Sequence, residues 1–264
     1  MILKKLKQAL ALGLLVYLPV AAMAWGMEGH RIVGEIAESY LSPKAKLAVQ
    51  KILGTESMAI ASNWPDFIKS DTSYKYLNPW HYLNVKDSLT EAEFKKYLES
   101  DNTVDAYTKL NFLIKQLKDK SLPKEKQLMY LRLVIHIVGD IHQPMHVSRE
   151  EDQGGNKIKL SWFGQPTNLH GVWDEKIIDY QQLSYTEYAK SINHTTAKEV
   201  SEWQHEPLKY WIYQSYSEAQ KIYAEIKPDM KLSYRYNFDH IQTVNTQLLK
   251  GGVRLAGLLN EIFG

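Results

Sequence analysis

His136 and Asp140 stand four residues apart at the end of a stretch, Leu128 to Val138, that is apolar apart from Arg132 and His136. On a helix that spacing puts both side chains on one face, where an imidazole and a carboxylate can grip one cation. A carboxylate in apolar surroundings needs such a partner. His146 follows six residues later, beyond Pro144, so it need not share that face and could turn toward a second ion. His170 and Asp174 repeat the four-residue spacing after Asn168. Two further groups are Trp64-Pro65-Asp66 with Trp80-His81, and Trp25-Gly26-Met27-Glu28-Gly29-His30. Each fragment alone is common on solvated helices; four of them in one chain point to metal binding. The 264 residues include no cysteine, so a zinc site must be built from His, Asp, Glu or main-chain groups. Of the other histidines, His194, His205 and His240 are read as ordinary packing or surface residues. His142, two residues after Asp140, would project roughly 160° away from it on a continuing helix, toward packing or support.

The elements that must position these groups are mainly helical. Ile32, Val33, Ile36, Ala37, Tyr40 and Leu41 recur at three- and four-residue spacing and mark an amphipathic helix. Ser42-Pro43 starts a second, with Ser42 as N-cap and Pro43 at the first helical position. Leu128 to Val138 reads as a buried helix that Pro144 ends. His170 and Asp174 lie at the start of a further helix, and Tyr210–Ile226 and Asp239–Phe263 are two more, the last continuing through Gly251-Gly252. Lys157 to Trp162 alternates polar and apolar, the pattern of a short strand or hairpin arm. The expected fold is a single, mainly α domain with a small β-hairpin element. No internal repeat or low-complexity linker divides it.

Residues 1–24 fall outside that domain. Three lysines and no acid occupy Met1 to Lys7, an apolar run follows from Ala9 to Val20, and Ala22-Met23-Ala24 offers small residues for cleavage. This is the pattern of a secretory signal peptide. The apolar run is shorter than the roughly 20 residues needed to span a bilayer. The expected mature chain is Trp25 to Gly264, exported to the periplasm or the medium, monomeric and without stable membrane association. The whole chain is +2, of which Lys4, Lys5 and Lys7 supply +3, leaving −1 from Trp25 onward. Overall charge therefore gives no reason for the polypeptide alone to attract nucleic acid.

Trp25-Gly-x-x-Gly-His30, Trp64-Pro-Asp66, Trp80-His-Tyr82, His136-Ile-Val-Gly-Asp140-Ile-His-Gln-Pro-Met-His146, Asp152-Gln-Gly-Gly-Asn156, Asn168-Leu-His170-Gly-Val-Trp-Asp174 and Gly252-Val-Arg-Leu-Ala-Gly-Leu-Leu-Asn260 together resemble the S1/P1 nuclease family, in order and over essentially all of the mature chain. The resemblance implies a helical domain of the phospholipase C/P1 nuclease type with three zinc ions. Carried over residue by residue, it places the first ion on Asp66, His81, His136 and Asp140. The second falls on His146, His170 and Asp174, and the third on His30, Asp140 and the main chain of Trp25, with Asp140 bridging the first and third. A free α-amine and the carbonyl of the same residue form a chelate available only at a chain terminus, and an amine with a pKa near 8 loses its proton cheaply. Three such ions would concentrate +6 at one place.

The implied activity is endonucleolytic hydrolysis of single-stranded DNA and RNA to 5′-phosphate products, with 3′-nucleotides as further substrates. Clustered cations suit a phosphodiester, because they neutralise charge on the phosphoryl and leaving oxygens and acidify water. The attacking water is expected at the first and third ions, and the leaving 3′-oxygen at the second. Asp66 is expected to orient the water as well as bind metal. Lys69 stands where the family usually has Arg, and a lysine supplies a point charge without the bidentate fork. Tyr82 and Tyr180 are candidate stacking residues for an unpaired base, and Glu175 could accept from a base amino group or repel phosphate. A zinc-dependent phospholipase C is the nearest rival. His30 only five residues after Trp25, the early Asp66, and Asp174 where the phospholipases usually carry Glu argue against it. Two more distant rivals are a zinc-binding module without catalysis and a 3′-nucleotidase with little endonuclease activity.

Overall fold

The structure, a computed structural model, describes residues 25–85 and 89–264. The expected signal peptide, residues 1–24, lies outside them. The chain order is α1 (Met27–Ser39), α2 (Pro43–Leu53), the single turns α3 (Met58–Ala61) and α4 (Trp64–Phe67), 3₁₀ segments at Ile68–Ser70 and Thr72–His81, then β1 (Leu83–Val85). Next come α5 (Glu91–Ser100), α6 (Ala106–Leu117), α7 (Lys124–Asp140), a 3₁₀ turn at Pro144–His146 and β2 (Val147–Arg149). The hairpin β3 (Lys159–Trp162) and β4 (Gln165–Asn168) leads into α8 (Leu169–Gly171), a π-turn over Val172–Lys176, and α9 (Ile177–Asp179). The chain closes with α10 (Tyr185–Ile192), α11 (Ala197–His205), α12 (Leu208–Glu225), β5 (Lys231–Leu232) and α13 (Tyr234–Phe263). The fold is mainly helical with small sheets, as expected. Among the described residues no helix is long and apolar enough to cross a membrane.

The core is organised around α7, which is continuously buried from Leu133 to Asp140. It begins at Lys124, four residues before the apolar stretch, because a helix surfaces through its polar first turn. It ends at Asp140 rather than at Pro144, so the reading of His142 from a continuing helix does not apply. The long C-terminal helix α13 packs across α1 and also touches α2 and α7. Its two glycines sit at this crossing. A Cβ on Gly252 would lie 2.5 Å from Ile36 Cγ2, and one on Gly251 would meet His142 and Val33 at 3.4 Å. The glycines thus remain helical because they let two backbones approach, which offsets their lower helix propensity. α13 starts at Tyr234, five residues earlier than its apolar pattern, and α12 covers Leu208–Glu225, within two residues of expectation.

Ser42 caps α2 as read, its Oγ accepting from Ala45 N at 3.2 Å. The alternating segment forms β3, which pairs antiparallel with β4 through the two-residue turn Phe163-Gly164, both at positive φ. β5 adds in parallel to the other edge of β3. A second sheet has no counterpart in the sequence pattern: β1 and β2 pair in parallel, Leu83 opposite Val147. Each strand begins within two residues of a histidine, His81 or His146, so the pairing draws two distant segments together at the site.

Candidate metal centre

Five elements deliver the candidate side chains to one place beside the N-terminal end of the described chain. α1 carries His30, α4 carries Asp66, the 3₁₀ segment Thr72–His81 ends on His81, α7 ends on His136 and Asp140, and Pro144–His146 ends on His146. The sixth contribution, His170 and Asp174, comes from α8 and the π-turn after β4. Asn168 caps that start, accepting from Gly171 N at 2.7 Å. π-turns recur at functional sites, and here one keeps the i, i+4 pair together, His170 Nε2 lying 3.1 Å from Asp174 Oδ2.

Three sets of donor atoms converge. In the first, His136 Nε2 lies 2.8 Å from His81 Nδ1, 3.2 Å from Asp140 Oδ2 and 3.8 Å from Asp66 Oδ1. His81 Nδ1 lies 3.1 Å from Asp140 Oδ2. In the second, Asp174 turns Oδ2 to His170 and Oδ1 to His146 Nε2, 3.6 Å away. In the third, His30 Nε2 lies 3.3 Å from Asp140 Oδ1. Asp140 thus presents one oxygen to His81 and His136 and the other to His30. His30 also stacks on the His136 ring, centroids 3.9 Å apart, and shares a neighbourhood with Asp66. Trp25 is fully buried beside it, and Gly26 N donates to the Asp174 carbonyl at 2.8 Å, which ties the start of the domain to the second set.

These distances fit donors gathered around a shared cation. Four donors around zinc at 2.0–2.1 Å are separated by about 3.3 Å in a tetrahedron, the separation around which the first set scatters. The imidazole tautomers agree. His136 Nδ1 donates to Ser62 O at 2.6 Å, His146 Nδ1 to His81 O at 2.7 Å and His170 Nδ1 to Gly154 O at 2.7 Å. A carbonyl can only accept, so each ring keeps its proton there when neutral and aims a lone pair from Nε2 into the cluster. Among the described residues, His30 Nε2, His146 Nε2, His170 Nε2, Asp66 Oδ2 and Asp140 Oδ1 are buried without a hydrogen bond. Buried polar atoms are nearly always paired, and so many orphans facing one another indicate positions for ions.

The electrostatics of the protein alone are strained in the same sense. Burial opposes charge on Asp66, but His136 and Lys69 outweigh it and bring the carboxyl down to about 2. Burial likewise opposes charge on Asp140, yet His136, His30 and His81 hold it well below the usual carboxylate range. Burial also opposes a proton on His146, but Asp174 and Asp140 push it up to about 9. For His81 burial prevails and pulls it down to about 4. Burial is outweighed at His136, which Asp140 and Asp66 raise. The carboxylates demand positive charge that the imidazoles supply only by taking protons; a divalent cation supplies it without them.

The histidines at the front of this cluster open onto a cleft of about 640 Å³, whose walls include Lys69, Lys75, Tyr82, Asn84, Asn156 and Asn168. Lys69 Nζ bonds Asp66 Oδ1 at 2.5 Å, so the structure brings that lysine to the site as well. Tyr82, 40% exposed, lies at the cleft, whereas Tyr180 stacks on Phe163 by the hairpin. Glu175 covers Gly26 and pairs with Lys176 at 3.3 Å, away from the cleft wall. The supporting groups do not stand out in the sequence. Gln143 is fully buried, donates to Asp174 Oδ1 and accepts from Met145 N at 2.5 Å. Arg254, also fully buried, donates to His142 Nε2 at 2.9 Å, while His142 Nδ1 donates to Val138 O at 2.7 Å. His142 therefore packs behind the cluster, as read. The adjacent glycine pair in Asp152-Gln-Gly-Gly-Asn156 is a readable signal for the Gly154 carbonyl that holds His170. Gly154 has φ +65°, and a Cβ there would lie 2.4 Å from Met145 O.

Comparison with known proteins assigns the chain to a family. The S1/P1 nuclease family model matches residues 25–264. Endonuclease 4 of Arabidopsis thaliana is 30% identical over 92% of this chain and 90% of its own length. Nuclease P1 of Penicillium citrinum is 27% identical over 91% of this chain and 98% of its own. Nuclease S1 of Aspergillus oryzae is 28% identical over 87% and 78% respectively. The chain belongs to the S1/P1 nuclease family, hydrolases that act on phosphodiester bonds.

Proposed function

We propose that this chain is an exported, zinc-dependent endonuclease that hydrolyses single-stranded DNA and RNA to 5′-phosphate products and also acts on 3′-nucleotides. The observation that carries the reading is the convergence of five buried imidazoles and three carboxylates behind an open cleft, onto which His81, His146 and His170 face. In this reading Asp66, His81, His136 and Asp140 hold one zinc ion, and His146, His170 and Asp174 a second. His30, Asp140 and the amine and carbonyl of Trp25 hold a third. Bound there, zinc acidifies water and neutralises charge on phosphoryl and leaving oxygens.

The chain's own residues then have distinct tasks. Asp66 engages Lys69 through Oδ1 and has Oδ2 without a partner, so its carboxylate can take the proton side of an attacking water and orient it. Lys69 Nζ places a positive point charge at the same spot, suited to a phosphoryl oxygen. Tyr82, next to His81 and partly exposed, offers an aromatic face to an unpaired base. Bases stacked in a duplex cannot use that face, which gives single strands the advantage. Trp25 becomes a terminal residue only if the segment before it is removed. The signal-peptide pattern of residues 1–24 and a family match that starts at residue 25 both support export and this cleavage. The mature protein is then a monomer of the periplasm or medium, without stable membrane association.

The test is release of acid-soluble nucleotides from single-stranded DNA and RNA by the protein beginning at Trp25, before chelation, after it, and with zinc restored. Turnover lost on chelation and regained with zinc, with products bearing 5′-phosphate, is expected. Products ending in 3′-phosphate would overturn the leaving-group assignment. No turnover of either polymer by zinc-loaded protein would overturn the nuclease reading, and release of phosphocholine from lipid would replace it with the phospholipase.

A further inference from the structure

The cleft contains two lysines, and they are not equivalent. Lys69 Nζ is held by Asp66 Oδ1 at 2.5 Å, so its charge is directed to the floor of the site. Lys75 lines the same cleft, is exposed, and makes no ion pair or side-chain hydrogen bond among the described residues. No Asp or Glu is among the described residues lining this cleft. Lys75 is therefore its one uncommitted cation among the described residues.

Its backbone is fixed. Lys75 sits in the 3₁₀ segment Thr72–His81, capped by Asp71 and terminated by His81 itself. The tyrosines on either side pin the segment from behind: Tyr74 packs edge-on against Trp64 with ring centroids 5.7 Å apart, and Tyr76 against Trp80 at 5.8 Å. Lys75 is thus carried on the same rigid stretch as a candidate metal ligand and is the residue between those tyrosines that faces the cleft. Tyr82, Asn84 and Gln153 also border a second hollow of about 840 Å³, which is lined by exposed Glu150 and by Asp105, a buried cap of α6. A polyanion in the first cleft therefore meets a free cation at Lys75 and an exposed carboxylate, Glu150, in the hollow that adjoins it.

We propose that Lys75 binds a phosphate of the nucleic-acid strand adjacent to the scissile one, and so favours polymers over substrates that carry a single phosphate. The inference rests on the nuclease reading above and extends it to the polarity of the cleft. An ammonium–phosphate contact of this exposed kind is worth roughly tenfold in binding, and each phosphate contact adds about 0.7 to the salt slope for single strands.

The test compares zinc-loaded wild type, Lys75→Met and Lys75→Arg on a single-stranded 12-mer and on a dinucleoside monophosphate, whose only phosphate is the scissile one. For Lys75→Met, kcat/KM on the 12-mer is expected to fall roughly tenfold, mostly through KM, with the log–log salt slope reduced by about 0.7. Dinucleoside monophosphate turnover is expected to stay within about twofold, and Lys75→Arg to restore the 12-mer. Equal losses on both substrates, or no loss and an unchanged salt slope on the 12-mer, would overturn the proposal while leaving the nuclease intact. Failure of the wild type to cleave the dinucleoside monophosphate and the 12-mer alike would overturn the underlying reading with it.

Discussion

Gln143→Met isolates the support of the second donor set from the ligands themselves. The side chain is fully buried and makes two bonds. Its Nε2 donates to Asp174 Oδ1, and its Oε1 accepts from Met145 N at 2.5 Å. Methionine fills a similar volume and removes both. The first bond is charge-assisted, worth about 1.5–3 kcal/mol, and fixes the rotamer in which Asp174 offers Oδ2 to His170 and Oδ1 to His146. Lost orientation of a ligand by its outer partner typically weakens metal binding 10- to 100-fold. The second bond leaves a buried N–H unsatisfied at a cost of about 1–3 kcal/mol in stability. The expected result is zinc lost from one site at 10- to 100-fold lower chelator competition, with the remaining zinc held as in the parent. Graded chelator titration followed by elemental analysis reads this directly. Gln143→Glu is the informative companion, because it keeps the shape but sets a carboxylate against Asp174. Superimposable chelator curves for parent and Gln143→Met would refute the reasoning, as would uniform loss of all zinc.

Gly252→Ala should destabilise the fold by about 1–3 kcal/mol, since the added methyl would collide with Ile36 at the crossing of α1 and α13; urea denaturation checks this, and unchanged stability would show that the helices part easily. Zinc uptake by the second donor set should release a proton and strengthen about tenfold per pH unit below pH 9, because His146 sits at about 9 in the protein alone and must lose its proton to bind; calorimetry in buffers of different ionisation enthalpy measures it. The corresponding stability term of metal-free protein has the opposite sense. It is present below the ordinary histidine value of 6.5 and lost as pH rises through about 9. A protein retaining Ala24 before Trp25 should fold but bind about one zinc fewer, since a peptide nitrogen replaces the amine; mass spectrometry under native conditions counts the ions, and an undiminished count would remove Trp25 from the ligand set.

Much of the site is legible in the sequence because its ligands follow local rules. His136 with Asp140, and His170 with Asp174, are helix-spaced pairs, and each pair does meet in space. What brings the pairs to one another is not local. The parallel pairing of Leu83–Val85 with Val147–Arg149 joins segments 64 residues apart at matched register, and three-residue strands carry too little alternation to be read. The supporting carbonyls of Ser62 and His81 belong to the backbone and leave no mark in residue type, whereas that of Gly154 is marked only by its glycine. Three helices carry a second signal at their starts. Thr90–Glu93, Ser184–Glu187 and Thr196–Glu199 are capping boxes at the starts of α5, α10 and α11.

The absence of cysteine gives the cluster a structural weight beyond chemistry. Disulfides are a common source of stability in small domains; this chain has no cysteine and buries charge instead. His30, His136 and Asp140 are fully excluded from solvent, and the other candidate ligands nearly so. Without cations, Asp66 and Asp140 stay ionised at the cost of protons held by neighbouring imidazoles, an arrangement that costs several kcal/mol per buried ion when imperfectly paired. Ions that bind only the folded state reverse that sign, adding stability as RT ln(1 + [L]/Kd) for each site. The elements so joined come from α1, α4, α7 and the π-turn, which span the domain from its first helix to Asp174. With ions bound, the proposed site is therefore also a cross-link of the fold. Chelation should lower the unfolding midpoint as a single cooperative transition, not merely silence the enzyme. A thermal melt unchanged by chelator, with metal shown to be gone, would separate the two roles and leave the apolar core as the sole support.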